Sequence, residues 1–308
     1  ARGQARNDRE RRRPHRSHRD RAEARDPGQL QAEVQERPGQ EQRPELSDQT
    51  IVPTTAPTTT PPPTTTPPAP LTGAIAYEVL RTLPHDAGAF TQGLEFGDGV
   101  LFEGTGLRGQ SDRRIVDPDS GEVVAEFAID DEFFGEGITF RDGLLYQLTW
   151  TSGVLLISSA TDLSPALPPI SYEGEGWRLC DTPSEPDRPF VMSNGTPFLT
   201  VRDPISFDVR RSISVIDENG AEVENLNELE CIGTQVFANI WTDSDIVAID
   251  LSSGQVTGRL DLTDLIPEGL DENRAVLNGI AYSEESDTYF VTGHLWPVMY
   301  ELRLTSGD

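Results

Sequence analysis

One short motif recurs five times in this chain and limits what it can fold into. Each copy holds an aromatic or leucine residue, a polar residue, a small or acidic residue and then apolar residues. The copies are FTQGLEF at 90–96, FGEGITF at 134–140, EGWRLC at 175–180, LNELECI at 226–232 and LNGIAY at 277–282. The polar members of the five copies are Gln92, Glu136, Glu175, Asn227 and Asn278. The spacings between successive polar members are 44, 39, 52 and 51 residues. A period of about 40 to 50 residues is typical of β-propeller blades.

Strand and turn signals alternate around these copies. Short β-branched and aromatic runs such as IAYEVLRTL at 75–83 indicate strands, and GDG, DPDSG and SSG indicate turns. Helix candidates are confined to residues 263–274. With three or four strands per repeat, the sequence predicts an all-β, five-bladed β-propeller. The first strand and the final VMYELRL run at 298–304 lack partners in their own repeats. We therefore expect them to pair and close the ring, which removes exposed edges.

Composition divides the chain into three parts. Residues 1–50 are rich in Arg, Gln and Glu, and residues 51–73 are mostly Thr and Pro. Such segments bury too little apolar surface to offset their ordering entropy, and prolines favour extended polyproline II. We expect a disordered segment at 1–50, a semi-rigid linker at 51–73 and the propeller at 74–308.

The charge of the folded part excludes several classes of partner. The chain after residue 50 contains 42 acidic residues and only 13 arginines. This excess of negative charge argues against binding nucleic acid or anionic membranes. The same acidity suits a ligand that carries an ammonium group. The chain has no lysine, so Schiff-base chemistry on lysine is excluded.

The expected location follows from the linker and from the absence of long apolar runs. No stretch of about 18 apolar residues is present, so no membrane-spanning segment is predicted. No signal peptide is visible in residues 1–25, yet a Thr/Pro-rich stalk favours a secreted or cell-surface protein. We expect it to be a monomer.

Glu136 is the strongest candidate for acid–base chemistry. It lies between aromatic residues and glycines in FFGEGI at 133–138. Partial burial against aromatic rings disfavours a charged carboxylate and raises its pKa, which suits a proton donor near neutral pH. In a propeller the polar members of the repeats point towards a central channel. The plainer interpretation is that they only solvate that channel.

Three further features exceed what a propeller needs. Four tryptophans recur near equivalent positions, namely Trp150, Trp177, Trp241 and Trp296. They could pack blades, or several could form an apolar pocket that holds an ammonium group. LNELE at 226–230 groups Asn227, Glu228 and Glu230, and TGHLWP at 292–297 contains His294.

The two cysteines, Cys180 and Cys231, lie in the folded part without metal-site spacing. They form either one disulfide, which would fit export, or two buried free thiols.

These motifs resemble a known enzyme family. PHDAGAFTQGL, LFEGTGL, FGEG, LNELE, FANIW, VLNGIAY and TGHLWP, in this order, resemble the plant and bacterial type of glutaminyl-peptide cyclotransferase (glutamine cyclotransferase). The resemblance covers residues 77–304 and implies a five-bladed propeller. It further implies conversion of N-terminal glutaminyl residues of peptides or proteins to pyroglutamyl residues, with release of ammonia and without a catalytic metal.

The resemblance also implies roles for individual residues. The acid–base glutamate of the family falls on Glu136. Its pocket residues fall on Phe90, Gln92, Phe134, Trp150, Trp177, Asn227 and Trp241. The family often has lysine where this chain has His294, whose charge near neutral pH depends on its surroundings. The positions of Cys180 and Cys231 favour a disulfide, as in some bacterial members.

Together these residues suggest a mechanism. The substrate α-amine attacks the side-chain carboxamide inside the aromatic pocket, Glu136 moves the proton, and Asn227 or Gln92 donates to the developing oxyanion.

Two other classes of function remain open at this stage. The domain could be a non-catalytic surface module that binds a ligand. It could also be a metal-dependent propeller hydrolase or lactonase. The oxygen-bearing residues that could ligate a catalytic metal or a structural calcium ion in the channel are Asn227, Glu228, Glu230 and Asn278.

Overall fold

The regular structure of the described chain is almost entirely β-strand. The computed structural model describes residues 67–271 and 274–307. Its strands are β1 (Gly73–Pro84), β2 (Thr91–Gly97), β3 (Val100–Thr105), β4 (Asp112–Val116), β5 (Val123–Ala128), β6 (Gly135–Arg141), β7 (Leu144–Thr149), β8 (Val154–Ser159), β9 (Pro165–Ser171), β10 (Arg178–Asp181), β11 (Phe190–Ser193), β12 (Phe198–Arg202), β13 (Val209–Ser214), β14 (Leu226–Ile232), β15 (Gln235–Ile240), β16 (Asp245–Asp250), β17 (Val256–Asp261), β18 (Leu277–Ser283), β19 (Thr288–Gly293) and β20 (Val298–Ser306). The predicted all-β class is confirmed.

Helical structure is limited to one short turn in the described residues. A 3-10 helix spans Thr263–Leu265, inside the range where the sequence placed its helix candidates. None of the described helices has the length and apolarity that a membrane crossing requires. The segment predicted at 1–50 and most of the linker predicted at 51–73 lie outside the described residues.

The strands pair into successive antiparallel groups of four. Strands β2–β5, β6–β9 and β10–β13 form three separate sheets, and the remaining strands form one larger sheet. That sheet has the order β14-β15-β16-β17-β1-β20-β19-β18. Within it, β1 meets β17 in parallel only at Gly73 and Ala74, whereas it pairs with β20 along nearly its whole length. The larger sheet therefore consists of two groups of four strands joined at one corner.

The pairing of β1 with β20 joins the beginning of the described domain to its end. The register runs antiparallel from Ile75 opposite Ser306 to Pro84 opposite Val298. Leu83 and Met299, opposite each other on these strands, are both buried in one apolar cluster. The expected pairing of the first and last strands is confirmed. It supplies the fourth strand that β18, β19 and β20 lack.

The first strand of each group lies at the centre of the domain. Strands β2, β6, β10, β14 and β18 contact one another in a closed cycle, in that order and back to β2. Each of these strands carries a leucine or isoleucine that is at most 1% exposed, in the set Leu94, Ile138, Leu179, Leu229 and Ile280. The sheets are thus arranged around these strands in a propeller-like manner.

Four of the five central strands begin with a register shift. The shifts fall between Thr91 and Gly93 in β2, Gly135 and Ile138 in β6, Leu226 and Leu229 in β14, and Leu277 and Ile280 in β18. Such bulges redirect side chains and are common next to active sites. Each shift coincides with the polar residue of the repeat, which explains why that position is polar.

The third repeat differs, and here the sequence alignment of the repeats was wrong. Strand β10 begins at Arg178, and its most buried apolar residue is Leu179. In the second repeat, Glu136 lies two residues before the buried Ile138. The residue two before Leu179 is Trp177, not Glu175. Glu175 lies in the connection before β10 and is exposed. With Trp177 in its place the spacings become 44, 41, 50 and 51 residues, which is more regular.

An arginine spans the centre of the cycle. Arg178 is fully buried, and its guanidinium donates to the carbonyl oxygens of Leu94 at 2.6 Å and Leu229 at 2.9 Å. It also lies 3.0 Å from Glu95 and 3.1 Å from Glu228. Space for it comes partly from Gly137, because a Cβ there would collide with the Arg178 side chain and backbone. Arg178 therefore connects central strands that are far apart in the sequence.

Candidate active site

Glu136 occupies the bulge at the start of β6. Its side chain is 4% exposed, and burial raises its pKa well above the ordinary value, with a further contribution from the negative charge of Glu175. Among the described residues none lowers this pKa by donating a hydrogen bond. A buried carboxyl group without a partner is costly unless it stays protonated. Glu136 can therefore hold a proton near neutral pH.

A row of aromatic rings lies beside Glu136. Phe134, two residues before it, contacts Phe90 edge-on at 6.2 Å between ring centroids and Trp150 at 5.6 Å. Trp177 contacts Trp241 edge-on at 5.7 Å. These five rings, here called the aromatic arc, belong to four different strand groups. The structure thus brings all five predicted aromatic site residues into two contacting sets.

Glycine makes room for both parts of the aromatic arc. A Cβ on Gly106 would lie 2.6 Å from the Phe134 ring, and one on Gly195 would lie 2.5 Å from the Trp177 ring. Gly195 also has a φ of +78°, which favours glycine. The rings therefore rest directly on backbone, which restricts how far they can tilt.

Glu175 joins the two parts of the arc. Its Oε2 accepts hydrogen bonds from Nε1 of Trp150 at 2.9 Å and from Nε1 of Trp177 at 3.1 Å. Sequence reasoning placed Glu175 on a strand pointing towards the axis, and it missed this bridging contact. The signal that could have found it is the spacing EGW, which puts a carboxylate two residues before an indole.

Three side-chain amides form a chain of hydrogen bonds at the other side of the site. Asn278 Nδ2 donates to the carbonyl oxygen of Thr91 and to Gln92 Oε1, both at 2.9 Å. Asn227 Nδ2 donates to Asn278 Oδ1 at 2.9 Å. Because a backbone carbonyl can only accept, Thr91 fixes the orientation of the Asn278 amide, and Asn278 in turn orients the Asn227 amide. Within residues 67–271 and 274–307, the side-chain carbonyl oxygen of Asn227 and the amino group of Gln92 make no side-chain hydrogen bond.

His294 is part of this amide chain and is neutral. It is 4% exposed, stacks on Phe90 at 3.9 Å between centroids, and places Nε2 3.0 Å from Gln92 Oε1. Burial lowers its pKa to about 3, although a hydrogen bond to the backbone of Arg274 acts in the opposite direction. The sequence left the charge of His294 open. In the structure it supplies no cation to the site at neutral pH.

Two sequence features that were grouped with the site lie elsewhere. Trp296 is completely buried, donates through Nε1 to the carbonyl oxygen of Ala275 and belongs to an apolar cluster. For this tryptophan the blade-packing interpretation is correct. Glu228 lies in the centre, where its oxygens accept from the backbone N–H groups of Leu94 and Ile280.

The centre offers little for the calcium ion that the sequence allowed. Arg178 already supplies a positive charge to Glu228. No group of three or more His, Cys, Asp or Glu side chains that could hold a metal ion is found among the described residues. Arg178 was missed by the sequence analysis, although a charged residue inside the apolar run WRLC was a visible signal.

Cys180 and Cys231 form a disulfide in the structure, with an S–S distance of 2.00 Å. It joins β10 to β14, two neighbouring central strands. The bond therefore ties the strand that carries Arg178 to the strand that carries Glu228.

Comparison with known proteins shows which family this chain belongs to. A model of the glutamine cyclotransferase family matches residues 52–304. The chain belongs to this family. It is 36% identical over 231 residues to a glutaminyl-peptide cyclotransferase of Arabidopsis thaliana, a match that covers 74% of this chain and 71% of the relative. It is also similar to the crystal structure of Myxococcus xanthus glutaminyl cyclase, with a TM-score of 0.70 and 36% identity over 78% of this chain and 100% of that chain.

Proposed function

We propose that this protein is a glutaminyl-peptide cyclotransferase that converts N-terminal glutaminyl residues of peptides and proteins to pyroglutamyl residues. The observation that carries the proposal is Glu136, a buried carboxyl group beside the aromatic arc that receives no hydrogen bond from any residue the structure describes. The printed names of the Arabidopsis and Myxococcus relatives support the same activity.

The aromatic arc would hold the substrate side chain folded. The reaction forms a bond between the substrate α-nitrogen and the carbon of its own side-chain carboxamide, so the main obstacle is the entropy of ring closure. A site that restricts the chain near the reactive geometry removes much of that cost. Trp150 and Trp241 are 38% and 42% exposed, which leaves ring faces available to a ligand.

Glu136 would move the proton. An N-terminal ammonium group has a pKa of about 7.7 to 8.0. The raised pKa of Glu136 reduces the difference between the two groups, so the proton can pass to the carboxylate at small cost. The neutral amine then attacks the carboxamide carbon, and Glu136 returns the proton to the carboxamide nitrogen as its bond to carbon breaks. The departing ammonia takes the second proton that the attacking nitrogen must lose and leaves as ammonium, so the ring nitrogen keeps one hydrogen and Glu136 is ionised again.

The amide chain would recognise the reacting carboxamide. The free amino group of Gln92 can donate to the oxygen that becomes negatively charged, and the free oxygen of Asn227 can accept from the carboxamide nitrogen. A carboxylate in place of the carboxamide would put an oxygen, which cannot donate a hydrogen bond, against that acceptor. The arrangement thus favours glutaminyl over glutamyl substrates.

The same proposal extends to architecture and location. We propose a five-bladed propeller whose fifth blade is completed by β1, on the basis of the closed cycle of central strands. We further propose a monomer that is secreted or held at the cell surface on a Thr/Pro linker, and that needs no catalytic metal.

The test is ammonia release from a peptide that begins with glutamine, measured with and without a chelator. Turnover that resists the chelator, with pyroglutamyl product, is expected. Turnover that the chelator abolishes would indicate a metal-dependent enzyme instead. Binding of the peptide without any turnover would indicate a non-catalytic module.

A further inference from the structure

Glu175 has one saturated oxygen and one free oxygen. Its Oε2 accepts hydrogen bonds from the indole N–H groups of Trp150 and Trp177, so the acceptor capacity of that oxygen is used. Its Oε1 accepts no hydrogen bond from the described residues, and Glu175 forms no ion pair with them. The side chain is nevertheless exposed to solvent at the site. It therefore has acceptor capacity directed at whatever occupies the space beside the two tryptophans.

The surroundings of this free oxygen suit a cation. Trp150 and Trp177 hold the carboxylate between their ring edges, and aromatic faces attract ammonium groups. Glu175 is near enough to Glu136 to raise its pKa, and the segments that carry them are joined by the hydrogen bond from the Gly137 N–H to the Trp177 carbonyl oxygen, so the two carboxyl groups lie close to each other. His294 is neutral and Arg178 is committed to the centre. The guanidinium of Arg108 lies nearby, but it donates to Thr151 and to the carbonyl oxygen of Glu132 and forms no ion pair with Glu175 in the described part of the chain.

We propose that Glu175 binds the α-ammonium group of the substrate and positions Trp150 and Trp177 around it. This inference rests on the proposed function for its choice of ligand. It assigns to Glu175 the recognition of a free N-terminus, while Glu136 handles the proton. Peptides with a blocked amine would then be rejected at binding as well as in the chemical step.

The electrostatic part of this role has a consequence for the neighbouring acid. With Glu175 negative, the ionised form of Glu136 is disfavoured in the empty site. An ammonium group between the two carboxylates offsets that repulsion, so substrate binding itself prepares Glu136 to accept the proton. Removing the charge of Glu175 should therefore lower the pH at which kcat/KM begins to rise on the acid side of its profile.

The experiment compares Glu175→Gln with the matched control Glu173→Gln, an exposed carboxylate two residues earlier in the same connection. Glutamine retains an oxygen for both indoles but removes the charge. The probes are L-methionine amide, which cannot cyclise, and its N-acetylated form, and binding is read from tryptophan fluorescence. The wild type and E173Q should bind the free amine about tenfold more tightly than the acetylated form, a typical ratio for a charge-assisted contact. In E175Q this ratio should fall to about one.

Kinetics supply a second readout. For a peptide that begins with glutamine, E175Q should raise KM about tenfold and shift the acid limb of kcat/KM, which reports the free enzyme, to lower pH, whereas a merely structural role would leave that limb in place. An unchanged binding ratio in E175Q, or no preference for the free amine in the wild type, would overturn the inference. The binding assay does not require turnover. Amine preference that depends on Glu175 without ammonia release would therefore refute the proposed function and leave this inference standing.

Discussion

The candidate active site around Glu136, here called the mouth, and the centre of the domain around Arg178 both bury carboxyl groups. The two places differ in the partners that they give to these groups. In the centre, Glu228 is fully buried, and burial raises its pKa to about 8 even though Arg178 lies 3.1 Å away. At the mouth, Glu136 is 4% exposed, and the neighbouring charge, from Glu175, is negative. The centre provides backbone donors and a guanidinium, whereas the mouth provides neither to Glu136.

This difference originates in single positions of the repeat. Asn227 and Glu228 follow each other in the bulge of β14, and the first enters the amide chain of the site while the second faces Arg178. In β6 the corresponding pair is Glu136 and Gly137, and Gly137 leaves room for Arg178. The comparison teaches that the buried carboxyl group at the centre is held by backbone donors and a guanidinium, whereas the one at the active site lacks such partners among the described residues and is available for chemistry.

The largest expected effect comes from removing the acid at the mouth. Glu136→Gln should lower kcat for ammonia release by about 10²- to 10⁴-fold, the usual contribution of a general acid–base group. Its free energy of unfolding should stay the same or rise, because the carboxyl group has no donor to lose. Steady-state kinetics and chemical denaturation measure the two quantities. Activity within tenfold of the wild type would remove Glu136 from the mechanism.

Breaking the pairing at the centre should mainly affect stability. Arg178→Met removes the guanidinium that donates to two buried carbonyl oxygens and faces Glu95 and Glu228. Removing one partner of such a buried network costs about 3 to 5 kcal/mol. The control is Arg303→Met, whose pair with Glu78 is exposed and worth about 0 to 1 kcal/mol. Urea unfolding followed by fluorescence compares them. Equal stability of the two variants would show that the central network contributes little.

The pH dependence of stability should identify the same centre. Glu228 has a pKa of about 8 when folded against an ordinary value of 4.5, so between these values the folded protein binds more protons than the unfolded chain. The free energy of unfolding should therefore fall as pH rises from about 4.5 to 8, by on the order of 1 to 3 kcal/mol. Unfolding at pH 5 and pH 8 measures this slope. Glu228→Gln should flatten it, and Glu78→Gln at an exposed site should not.

The smallest expected effect concerns the histidine at the mouth. Because the pKa of His294 is about 3, it does not titrate between pH 5 and 8. His294→Gln retains groups that can pair with Gln92 and Asn278, so we expect less than a tenfold loss in kcat/KM and an unchanged profile in that range. Loss of a limb near neutral pH in this variant would show that His294 carries charge during the reaction.

Much of the architecture followed from the sequence because its signals are local. The repeat of 39 to 52 residues, the period-two strands and the turn signals each depend on a few neighbouring residues. They predicted the all-β class and the pairing of the first and last strands. The resemblance to the cyclotransferase family placed Phe134 and Trp150 in one pocket, and the two rings are in contact. Glu136 was selected by its aromatic and glycine neighbours in the chain, and one of them, Phe134, belongs to the aromatic arc.

Other properties depended on groups that are distant in the chain. The contact of Glu175 with Trp150 spans 25 residues, and Arg178 reaches Leu94 across 84. The neutral state of His294 arises from desolvation, which no local pattern reports. The sequence by itself determined the repeated strands and the residue types at the mouth, because these are properties of short segments. Only the tertiary structure decided which carboxyl groups receive a cation, since pairing and burial are set by what the other strands bring to the same place.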